Sequence, residues 1–147
     1  MAELVREILI DATPETIWPF LVDPERHVEW MGTEATLDSR PGGAYRVNVQ
    51  GRNPGVGEFV EVVANERVAF TFGWDVPDHP IPAGSTTIEI SLHPEGEKTL
   101  VRLVHRGLPD DAVSDHTHGW DHYLGRLAIA ATGGDAGVDA PTEEGAR

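Results

Sequence analysis

The residue order predicts an α+β domain: a curved antiparallel sheet of six to seven strands, two short helices after the first strand, and a long C-terminal helix gripped by the sheet. Three observations carry that expectation. Apolar residues recur with a period of two in paired segments between residues 34 and 105. The period changes to about 3.6 over residues 113–132. Thr13-Pro14 and Asp23-Pro24 each set a capping residue before a proline suited to a first helical position.

Taken in order, residues 3–11 alternate loosely between charged residues and Val, Leu or Ile, as a half-buried strand does. A helix is expected over 14–22, where Ile17, Phe20 and Leu21 fall at i, i+3 and i+4 with Trp18 at the margin of the stripe. Asp23-Pro24 breaks it and starts a second helical turn over 25–30. Ala35 and Leu37, the turn Arg40-Pro41-Gly42-Gly43, and Tyr45, Val47 and Val49 make a hairpin. Strands over 57–63 and 67–74 follow, joined by Ala64-Asn65-Glu66, and the second puts Val68, Phe70, Phe72 and Trp74 on one face. Segments 86–92 and 99–105 flank Pro94-Glu95-Gly96-Glu97. Read as the loop, these residues set Ile90 opposite Val101, Ile88 opposite Leu103 and Glu89 opposite Arg102. The closing helix carries Trp120, Tyr123, Leu124 and Leu127 on a wide apolar face and ends at Gly133-Gly134. A sheet covered by one long helix must curve around it to bury its apolar face.

Composition narrows the functions open to such a domain. The 147 residues suit one domain over 1–132, followed by a flexible acidic tail over 133–147 that has almost no large apolar residue to offset its ordering entropy. Cysteine is absent, which excludes disulfides, thiolate metal sites and thiol nucleophiles. Acidic residues number 25 against 11 basic ones, a formal charge of -14 that disfavours nucleic acid and anionic membrane surfaces as partners. No segment approaches the ~18 apolar residues of a spanning helix, and the N-terminus lacks the basic and apolar regions of a signal peptide. A cytoplasmic location is the expectation.

Several short motifs, in order, resemble one superfamily. They are Ala12-Thr13-Pro14-Glu15 with Ile17-Trp18, Trp30-Met31-Gly32, Arg40-Pro41-Gly42-Gly43, Gly57 with Phe59 and Glu61, Leu103-Val104-His105, and Gly119-Trp120 with Leu124 and Leu127. Together they resemble the SRPBCC or START-like superfamily, the birch-pollen-allergen fold. Within it they are similar to the branch of the C-terminal domain of activators of the heat-shock-protein-90 ATPase. The resemblance spans about residues 5–131. It implies a helix-grip fold around an apolar cavity, in a family of ligand carriers, cyclase-like enzymes and co-chaperones, and it makes a homodimer one state open to the chain. Family members usually carry a second aromatic where this chain has Met31, which implies a more pliable cavity wall.

The inner face is aromatic. Trp30, Tyr45, Phe70, Phe72, Trp74, Trp120 and Tyr123 fall on it, and alternation with Val101 and Leu103 adds His105. Large apolar side chains are buried first of all for packing, so each of these is a core residue before it is anything else. With the resemblance, the same eight residues become the candidates for binding a small hydrophobic molecule, the polar groups being Tyr45, His105 and the Trp120 indole. His105 has three roles open to it: general base, hydrogen-bond partner of a ligand, or a core histidine bonded to the start of the last helix. No carboxylate has a pattern-determined place beside it, so no catalytic residue is assigned. His118 and His122, at i and i+4, have the spacing of two zinc ligands, but spacing specifies no third; they read as solvated, and neither metal nor cofactor is expected. No phosphate-binding glycine loop or nucleophile elbow is present. Three functions remain: binding of a small hydrophobic or aromatic molecule, a cyclase- or hydrolase-like enzyme using His105 or Tyr45, and a co-chaperone-like interaction module.

Overall fold

A computed structural model describes residues 2–49, 53–137 and 139. Residues Ala2–Ile10 (β1), Glu34–Leu37 (β2), Ala44–Val49 (β3), Asn53–Val63 (β4), Arg67–Phe72 (β5), Thr86–Glu95 (β6) and Lys98–Leu108 (β7) form strands. They make one seven-stranded sheet in the order β1-β7-β6-β5-β4-β3-β2, antiparallel at every pairing. Pro14–Val22 (α1) and Pro24–His27 (α2) follow β1, and Val113–Ala131 (α3) follows β7. This is the α+β helix-grip architecture expected from the alternation of periods.

The helix starts follow from their caps. Thr13 Oγ1 accepts from the Thr16 amide (3.3 Å) and Asp23 Oδ1 from the Glu25 amide (3.0 Å), each ahead of a proline that has no amide to satisfy. α2 ends at His27, short of the expected Trp30. Beyond it the Glu29 and Trp30 amides bond to carbonyls three residues back, at Arg26 and His27.

Curvature in the sheet has local causes in β4. A side chain at Gly57 would collide with the Thr71 carbonyl of the neighbouring strand, so only glycine lets the strands approach there. The pairing then shifts between Phe59 and Glu61, a bulge that bends the strand.

The β6–β7 register corrects one expectation. Ile88 lies opposite His105, Ile90 opposite Leu103 and Leu92 opposite Val101, and Glu89 faces Val104 instead of Arg102. The strands continue to Glu95 and Lys98 and close in a two-residue turn with Gly96 at φ 67°. A slip of two residues keeps every side chain on its own face, so the apolar pattern does not detect it and turn length decides. Arg102 reaches Glu7 on β1 instead (3.7 Å).

α3 packs along β1 and touches α1, with Trp120, Tyr123, Leu124 and Leu127 buried as the helical period requires. Arg6 on β1 holds Asp121 with two hydrogen bonds (2.7 and 2.9 Å), an exposed pair worth at most about 1 kcal/mol. Of the tail expected to be flexible, the first part is held by hydrogen bonds. Gly134 donates to Ile129, and Ala136, Gly137 and Asp139 bond to α3 and to the turn after α2. Residues 138 and 140–147 lie outside the described residues. No described helix is long and apolar enough to cross a membrane.

Candidate functional site

β3, β5, the residues just after it, and β7 bring six of the eight candidate residues into a chain of ring contacts that ends on α3. Tyr45 stacks on Phe70 with ring centres 4.2 Å apart and meets Phe72 edge-on at 6.2 Å. Phe72 in turn touches Trp74 (5.2 Å) and His105 (5.8 Å), and His105 touches Trp120 (6.0 Å). Edge-to-face and offset contacts of this kind add roughly 0.5–1.5 kcal/mol each to burial. Trp74 lies beyond the end of β5 and is half-buried, held by bridges to Gly55 and Pro82. Trp30 joins through His27, whose ring sits 5.0 Å from the indole and 6.1 Å from Tyr45. Tyr123 is buried in the same core and donates its hydroxyl to Asp139 Oδ2 (2.9 Å).

His105 is fully buried, and both of its nitrogens are engaged. The Trp120 indole can only donate, so its 3.1 Å bond makes His105 Nδ1 an acceptor and leaves the ring proton on Nε2. Nε2–H then donates to Thr86 Oγ1 (2.8 Å), which donates to the Phe72 carbonyl (2.6 Å). Burial, with the nearby His116 ring second, pushes the His105 pKa down to about 3. A ring with no free lone pair and so weak a basicity is a structural relay between β7, β6 and α3, not a general base.

His27, which the apolar pattern did not single out, is equally buried. Its Nδ1–H donates to the Phe20 carbonyl (2.9 Å), which also accepts from the Trp30 indole (2.7 Å). Burial lowers its pKa to about 4 despite that hydrogen bond, and Nε2 is left a bare acceptor with no partner. Beside it, the buried Tyr45 hydroxyl also has none, and burial raises its pKa.

These two histidines predict a pH dependence. Both are neutral when folded and titrate near 6.5 when unfolded, so their contribution is whole above about pH 6.5 and is lost as pH falls toward 4 and 3. At about 1.4 kcal/mol per pH unit per group, unfolding at pH 5 should be easier than at pH 8 by about 2 kcal/mol for each ring. Urea denaturation at the two pH values measures this. Equal stabilities would mean that the rings are charged in the folded protein.

Two further residues escaped the sequence reading. Arg126 is buried and spends its guanidinium on three carbonyls: Nε on Trp30 (2.8 Å), Nη1 on Ala136 (2.7 Å) and Nη2 on Gly137 (2.8 Å). Asp139, 2% exposed, accepts with Oδ2 from the Gly32 amide (2.7 Å) as well as from Tyr123. Arg126 lies three residues after Tyr123 and four before Ala130, on the apolar stripe, and an arginine there was a readable signal. Asp139 had none. His118 and His122 are exposed, and the described residues hold no cluster of three metal-ligating side chains.

Comparison with known proteins agrees with this architecture. Among curated proteins no sequence matches. An AHSA1-like protein from Rhizobium etli, solved by NMR in solution, is 40% identical over 97% of this chain and 86% of its own, with a TM-score of 0.68. A Mesorhizobium loti protein (19% identical, 89% of this chain and 97% of that one, TM-score 0.80) and the Aha1 dimer of Colwellia psychrerythraea (20%, 91% and 98%, 0.78) share the fold. The model of the family described as "Activator of Hsp90 ATPase homolog 1-like protein" matches residues 11–132, and the chain belongs to that family.

Proposed function

We propose that this protein binds a small hydrophobic or aromatic molecule bearing a hydroxyl group, held in the interior between the sheet and α3. One observation carries the reading: two buried polar atoms, Tyr45 Oη and His27 Nε2, lie without partners on adjoining rings of an otherwise apolar, aromatic interior. Unpaired buried polar groups cost about 1–3 kcal/mol each, a cost a ligand recovers by pairing them. His27 Nε2 can only accept while Nδ1–H is committed to Phe20, and Tyr45 can donate. A ligand hydroxyl complements both. Ring contacts from Phe70, Phe72, Trp74, His105 and Trp120 continue the apolar wall from there, with Trp30 and Tyr123 in the same core.

The rival readings have less behind them. With both His105 nitrogens bonded, acid-base catalysis loses its first candidate. The family's name suggests docking on a chaperone, but the exposed large apolar residues among those described sit on three separate elements: Val5 and Leu9 on β1, Val60 on β4 and Ile129 on α3.

A thermal-shift titration with 2-naphthol, and with naphthalene as the control lacking a hydroxyl, tests the proposal. Naphthol should raise the melting temperature and naphthalene should bind more weakly. Tyr45→Phe should move two quantities in opposite directions. The ligand-free protein gains about 1 kcal/mol of stability because a buried orphan is removed, and naphthol affinity falls about tenfold. Unchanged affinity in Tyr45→Phe would remove the hydroxyl from the reading, and no binding of either compound would count against the interior as a site.

A further inference from the structure

The segment after α3 creates a second feature, separate from the aromatic interior. Where it folds back over the turn following α2, a cleft of about 360 Å³ opens between Val28, Gly32, Thr33, Asp135, Gly137 and Asp139. Its described lining contains two carboxylates and no cationic side chain. Asp139 accepts from the Gly32 amide and the Tyr123 hydroxyl at one oxygen, Oδ2, while Oδ1 is buried and has no partner. Arg126 does not supply one. Its three nitrogens each donate to a backbone carbonyl, and no ion pair links it to Asp139 among the described residues.

We propose that this cleft binds a small organic ammonium ion, whose N–H groups donate to Asp139 Oδ1 and whose charge is balanced by Asp139 and Asp135. A buried, unpaired carboxylate oxygen requires a donor, and a charged donor makes a bond roughly twice as strong as a neutral one. A bare metal ion fits poorly. The described residues offer no group of three metal-ligating side chains, and the volume falls in the range of sites for small organic molecules. Val28 offers the ligand's carbon skeleton an apolar contact. The chain's formal charge of -14 raises the local concentration of cations around it.

Benzylammonium chloride is a suitable probe, with benzyl alcohol as the neutral analogue and potassium chloride as the ionic-strength control. In NMR titrations of the full chain, benzylammonium should shift the Gly32 amide saturably, and benzyl alcohol should bind about tenfold or more weakly. Asp139→Asn retains an acceptor for Gly32 and Tyr123 but loses the charge, and should weaken benzylammonium by about tenfold or more. Asp135→Asn should weaken it severalfold. Equal binding of the alcohol, undiminished binding by Asp139→Asn, or no saturable shift up to roughly 10 mM benzylammonium overturns the proposal. Should Asp139→Asn release the segment, seen as loss of the protected Gly32 amide, Asp135→Asn decides, and an unchanged affinity there also overturns it.

Discussion

Phe72→Ala is expected to destabilise the protein by about 3–5 kcal/mol, the range for emptying a large aromatic site in a packed core. The upper part of the range is expected because the surroundings cannot collapse into the space. One neighbour is bare backbone: a side chain at Gly55 would run into the Phe72 ring, so Phe72 is packed against a glycine with nothing to move inward. The others, Tyr45, Trp74 and His105, meet it edge-on, and His105 is fixed by its bonds to Thr86 and Trp120. Urea denaturation measures the loss, and the same variant reports on the ligand reading. A loss below about 1 kcal/mol would mean that the ring already borders open space.

Arg126→Met should cost about 2–3 kcal/mol. The substitution keeps much of the apolar stem but strips three carbonyls, those of Trp30, Ala136 and Gly137, of charged donors. The cost of keeping a guanidinium in the interior is removed at the same time, which keeps the figure below that for breaking a buried ion pair. Arg126→Lys should recover less than half of the loss, because an ammonium cannot present the planar fork that reaches carbonyls on two segments. The effect should also be shared with Asp139. Asp139→Ala and Arg126→Met both release the same segment, so the double variant should be less destabilised than the sum of the two, and hydrogen exchange at the Gly32 amide should rise in each. Full additivity would mean that the two residues hold the segment independently.

Local signals made most of the fold legible. The Thr13-Pro14 and Asp23-Pro24 caps placed two helix starts, and the change from period two to 3.6 after Leu108 placed α3. What pattern could not supply was distance along a strand. Glu89 and Arg102 looked like partners because a four-residue loop and a two-residue turn leave the same faces inward, and the turn at Gly96 chose between them. In the observed register Ile88 faces His105, and Thr86 reaches its ring from the diagonal position. In the candidate site, the alternation pointed to the aromatic rings and to the polar groups of Tyr45, His105 and Trp120, but not to His27 or Asp139. His27 belongs to a four-residue helix with too little length to show a period, and Asp139 to a segment with none.

β1 and β7 are neighbours in the sheet although they stand at opposite ends of the domain, with Glu3 opposite Arg106 and Ile10 opposite Thr99. The first strand of this domain to be synthesised therefore pairs only once its last strand exists. Until β7 has been synthesised, Leu4 and Ile10 have no cover from that strand, and closing so long a loop is entropically slow. A nascent chain of this kind depends on what shields its N-terminal strand in the interval, and the charges of Glu3, Arg6 and Glu7, interleaved with the apolar residues of β1, discourage it from pairing with other chains while it waits.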